Sequence, residues 1–166
     1  MSKVLDDEEI QRLIDEPKRA TAKPRRREKA GHIEIDCEVV GDSENTYVVW
    51  ARQNIRLDED FSAGLRLRRR GDEDVILRRY NGSSHSHPNH IEDEHLPPVC
   101  HVHEATQRYW ARRGRADGYA RIATSYTDVR GAVRALLSDC AVSGIAPELL
   151  MPTASQGVLP LGRENG

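Results

Sequence analysis

The clearest alternation in the chain is "HIEIDCEVV" at residues 32–40, where Ile33, Ile35, Cys37 and Val39 fall on one side. A period of two marks a strand with one buried face. "TYVVWAR" repeats the pattern, with Tyr47, Val49 and Ala51 opposing Val48 and Trp50. "FSAGLRLRRR" repeats it again, as Phe61, Ala63, Leu65 and Leu67 alternate with Ser62, Gly64, Arg66, Arg68 and Arg70. The turn "RGDED" joins this run to "VILRRY" and predicts a hairpin. "NG" after Tyr80 marks another turn, and "VCHVH" resumes an extended pattern.

The period then changes. Val129, Ala132, Val133, Leu136, Leu137 and Cys140 recur at spacings of three and four, the stripe of a helix capped by Thr127 or Asp128. "EATQRYWARR" predicts a shorter helix. "LDDEEIQRLIDE" predicts a third, with Asp6 and Glu9 as a capping box, Ile10, Leu13 and Ile14 on one face, and Pro17 as the stop. The order of elements predicts an α+β fold: an antiparallel sheet of about five strands with the long C-terminal helix on one face. The expected division is an N-terminal helix over 1–16, a mobile basic linker over 17–30, an α+β domain over 31–145, and a disordered tail over 146–166.

Composition refines this picture. The chain of 166 residues suits one domain, and 37% hydrophobic residues allow only a thin core. The net charge of −2 conceals an acidic first segment followed by Lys18, Arg19, Lys23, Arg25, Arg26, Arg27 and Lys29. Such a basic arm can dock nucleic acid or an acidic partner. Three separated cysteines, no Cys-x-x-Cys and no apolar N-terminal run point to a reduced, cytoplasmic protein without a membrane span.

Six of the seven histidines lie within residues 85–103, "HSHPNHIEDEHLPPVCHVH". On a strand, His101 and His103 share a face while Cys100 and Val102 take the other. The loop bearing His85, His87 and His90 is expected to fold over them. One chemistry is acid–base cleavage of RNA or another phosphodiester by His101, His103 and His90, with Arg66, Arg68, Arg79, Tyr80 and Asn81 holding phosphate. The other is ligation of zinc or another divalent transition metal by His85, His87, His90, His101 and His103, or by two imidazoles with Glu92, Asp93 or Glu94; Cys100 is a thiolate candidate. Two non-catalytic readings stand beside these: a binding module using the basic arm, and a structural zinc protein. No phosphate-binding glycine loop, dinucleotide fingerprint, His-Glu-x-x-His, zinc-finger spacing or nucleophile elbow is present.

The succession "VILRRYNG", "HSHPNH", "CHVHEAT" and a closing helix resembles the TumE-type bacterial toxins of toxin–antitoxin pairs over residues 61–106. The resemblance implies a bacterial cytosolic protein acting on RNA and a cognate antitoxin as partner. It directs attention to Arg79, Tyr80, Asn81, His90, His101 and His103.

Overall fold

In a computed structural model, which describes residues 3–152, strands hold 38% of the described residues and helices 23%. Helix α1 (Asp7–Asp15) begins where Asp6 accepts from the Glu9 amide and Glu9 reaches back to the Asp6 amide, and it buries Ile10, Leu13 and Ile14. Strands β1 (Lys18–Ala20) and β2 (Arg25–Lys29) both pair antiparallel with the long β3 (His32–Gly41). From β3 the chain meanders through β4 (Thr46–Asn54), β5 (Phe61–Leu67) and β6 (Val75–Asn81). A separate hairpin, β7 (His87–Asn89) and β8 (Glu94–Leu96), precedes β9 (His101–Glu104), which pairs with β6. Helix α2 (Gln107–Arg113) and a 3₁₀ turn at Ala116–Gly118 lead to β10 (Tyr119–Ile122), which closes that edge against β9. Helix α3 (Val129–Asp139) starts at Asp128, whose side chain accepts from the Gly131 amide. Strand β11 (Val142–Ser143) then pairs parallel with β1 at the far edge.

The expected architecture is therefore corrected. The sheet is mixed and nine-stranded, in the order β10-β9-β6-β5-β4-β3-β1-β11 with β2 also on β3, and the described residues hold three α-helices. The strands that the alternation missed are short. β2 is exposed at every position, so no burial pattern marks it, and its five residues are extended because β3 offers them a hydrogen-bonding edge. Residues 17–30, expected as a mobile linker, form β1 and β2. Within the expected tail, residues 147–150 form a second 3₁₀ turn, and Leu150 and Met151 are buried in the core. The rest of that tail, 153–166, lies outside the described residues.

One face of the sheet is apolar and carries the core: Ile35, Cys37, Val49, Ala51, Ala63, Leu65, Tyr80 and Val102 pack with the buried sides of α1 and α3. The opposite face is polar. Across it run two rows set by register. One joins Arg52, Ser62, Asn81 and His101; the other joins Trp50, Gly64, Arg79 and His103. The Trp50 ring lies so close over Gly64 that a Cβ there would sit 2.2 Å from Cη2.

Candidate active site

Strand β9 aims its side chains alternately, so Val102 enters the core while His101 and His103 emerge together on the polar face, their ring centres 5.1 Å apart. The β7–β8 hairpin brings His87 against this pair, 4.6 Å from His103 and 5.8 Å from His101 between ring centres. His85, from the loop before the hairpin, lies 5.2 Å from His101 by the same measure. Asn89 holds the hairpin in place. Its fully buried amide donates to the Ala120 carbonyl and accepts from the Ala120 amide, at 2.7 and 2.9 Å, as a peptide group of a neighbouring strand would.

Each of the three close imidazoles donates one ring N–H to a backbone carbonyl. His101 Nδ1 donates to Val99 O, His103 Nδ1 to Asp117 O and His87 Nε2 to Gly118 O, each at 2.9 Å. A carbonyl only accepts, so these bonds decide which nitrogen carries the proton and leave the other with a lone pair. His101 Nε2 is buried and has no hydrogen-bond partner among the described residues. An orphaned acceptor inside a protein costs free energy, on the order of 1–3 kcal/mol, and marks a place where a proton donor is missing.

The cluster is held neutral. Burial pushes His103 down to about 3, assisted by the Arg79 charge and the neighbouring imidazoles. Burial also lowers His101 and His87, with Arg79 and the other histidines adding to it. Arg79 itself is anchored by Asp117, with Nη2 and Nε donating to Oδ2 at 3.0 and 3.1 Å. Burial alone would raise Asp117. The hydrogen bond from Arg115 and the charges of Arg79 and Arg115 hold it below the usual carboxylate range instead.

The expected site residues separate into two groups. His101, His103, His87, His85, Arg79 and Asn81 converge; Arg79 Nη1 lies 3.5 Å from Asn81 Oδ1. Tyr80 points the other way, because neighbours on a strand alternate. It is buried in the core with its hydroxyl on Asp139, so it does not serve as a phosphate ligand or a base platform. Arg78 is likewise on the core side, near Glu104. Arg66 and Arg68 share the polar face but sit beyond Gly64 toward the other end of β5, paired with Asp74 and Glu38. They do not clamp a phosphate at the histidines. His90 is exposed and lies to the outer side of His87.

Sequence reasoning missed the turn at residues 116–118. Its two carbonyls orient His103 and His87, and its Asp117 holds Arg79. The turn has no periodicity, and its one signal was an aspartate beside a glycine. Arg52 was also missed; its row position places it opposite Ser62 and near enough for its charge to act on Arg79. For the metal reading, no group of three or more His, Cys, Asp or Glu side chains among the described residues is placed to hold an ion. The expected metal roles of His85, His87, His90, His101 and His103 gain no support from the geometry, nor does a structural zinc site.

No known protein family, curated protein or solved structure matches this chain. None of the helices among the described residues is long and apolar enough to cross a membrane.

Proposed function

We propose that this protein cleaves RNA or a related phosphodiester at the histidine cluster, in the manner of a toxin component acting in the bacterial cytosol beside a cognate antitoxin. The observation that carries the reading is the unpartnered Nε2 of His101, buried among imidazoles with the Arg79 guanidinium alongside. A 2′-hydroxyl is the proton donor that this nitrogen lacks. As His101 takes its proton, the O2′–P bond forms and the P–O5′ bond breaks, and His103 delivers a proton to the departing O5′. Burial and the nearby positive charge of Arg79 hold His103 neutral. A bound phosphodiester brings the compensating negative charge, so the acid is charged only with substrate in place. Arg79 supplies positive charge to the developing oxyanion.

The test uses a fluorogenic oligoribonucleotide and its DNA counterpart. His101→Gln and His103→Gln should each lower cleavage by about a hundredfold or more while circular dichroism stays native. Undiminished cleavage in either variant refutes the assignment.

A non-catalytic binding module is favoured by one observation, the full exposure of β2 with Arg25, Arg26, Arg27 and Lys29. Arg25 and Arg27 already pair with Asp36 and Glu34, which reduces the charge that this strand presents. Under that reading nucleic-acid binding weakens steeply with salt and survives loss of both histidines.

A further inference from the structure

Next to His87 lies a cavity of about 230 Å³ lined by His87, His90, Tyr109, Arg113, Arg115 and Gly118, together with Pro88. Two arginines and two histidines line it, and no acidic residue is among its walls. The chain brings the arginines together by a specific device. Helix α2 ends at Arg113, Gly114 adopts a left-handed conformation with φ 76°, and Arg115 follows the reversal. That conformation suits glycine, and without it Arg113 and Arg115 would not flank one space.

Charge accounting favours an anion. Asp117 is shared between Arg79 and Arg115, one carboxylate against two guanidinium groups. The Arg113 side chain, at the last position of α2, makes no hydrogen bond or ion pair with any described residue. A second acidic group, Glu92, accepts from the Tyr109 hydroxyl but is engaged by Arg108 at 2.6 Å. The cavity therefore has excess positive charge and unused donors. Guanidinium groups arranged this way recognise phosphate. His87 forms a common wall, packing on His103 and His101 at one side and bounding the cavity at the other.

The geometry points to this cavity as a phosphate subsite that binds the backbone phosphate next to the one being cleaved, with Arg113, Arg115 and His90 as its ligands. The inference rests on the proposed cleavage of RNA for the identity of the substrate, whereas the anion site itself does not. It also replaces the clamp that Arg66 and Arg68 were expected to form. The competing structural role is that Arg113 only complements the C-terminal end of α2, which would affect stability and leave anions unaffected.

Inorganic phosphate is titrated into the full chain at low salt, followed by the imidazole C–H resonances of His87 and His90. Arg113→Gln is compared with Arg56→Gln, an exposed arginine elsewhere that controls for the loss of one charge. Saturable binding is expected in the native protein. Arg113→Gln should weaken it by about tenfold, the loss of a charge-assisted hydrogen bond, and Arg56→Gln should leave it within about twofold. Equal affinities in the two variants, or no saturation in the native protein, overturn the subsite. So does a lowered melting temperature with phosphate affinity intact. In the RNA assay, Arg113→Gln should raise KM with kcat retained. If phosphate binds through Arg113 but no RNA is cleaved, the subsite stands and the cleavage reading falls.

Discussion

Burial decides the charge of His103 before any neighbour acts, and the consequence is a pH dependence of folding. The residue is 3% exposed and its pKa is pushed down to about 3, against an unfolded value of about 6.5. Above pH 6.5 both states are neutral and the stability is fully present. As the pH falls from there toward 3, the unfolded chain takes up a proton that the folded chain refuses, and stability is lost. Between pH 6 and 4.5 the native protein should therefore lose about 1.4 kcal/mol more per pH unit than His103→Gln, measured by urea unfolding at each pH. Parallel curves for the two proteins would show that His103 is not buried neutral. The same residue shows what a sequence can convey. Its direction followed from alternation on a short strand, whereas its neutrality followed from burial, with the Arg79 charge and His87 adding to it, and the residues beside it in sequence convey none of these.

Among the elements, the β7–β8 hairpin is the one on which the site depends. It stands outside the main sheet and carries His87, and its link to that sheet runs through Asn89 and β10. Asn89→Ala leaves the Ala120 amide and carbonyl without partners. It should cost about 1–3 kcal/mol and free the hairpin to move. Hydrogen exchange should then rise at Ala120 and through residues 87–96 with little change in β3–β5, and cleavage should fall with it. Uniform exchange across the sheet would mean that Asn89 contributes only to global stability. The segment bearing His85, His87 and His90 read as a loop because β7 and β8 have three residues each, too few to show a period.

At the scale of the molecule, Lys18 ties the end of α1 to the end of α3. The residue is 1% exposed and its ammonium donates to Ile14 O, Glu16 O and Cys140 O at 2.7–2.8 Å, capping the ends of α1 and α3 at once. The backbone adds the parallel pairing of β1 with β11. Lys18→Met keeps the aliphatic stem but strands three carbonyls, and should cost about 3 kcal/mol, lowering the melting temperature by roughly 6–12 °C in one cooperative transition. A change below a degree would show that water replaces the ammonium without loss. In sequence, Lys18 was one base among seven in a segment taken for a linker. What the sequence determined by itself was local: strands β3 to β6 and β9 and the three helices, each from a side-chain period that requires one buried face. The tertiary structure decided the rest. Nine strands joined one sheet because the short ones borrow their hydrogen-bonding partners from distant segments. The sequence already named Arg79, whereas Arg113 and Arg115 reach the cavity beside His87 through turn geometry and not through proximity along the chain.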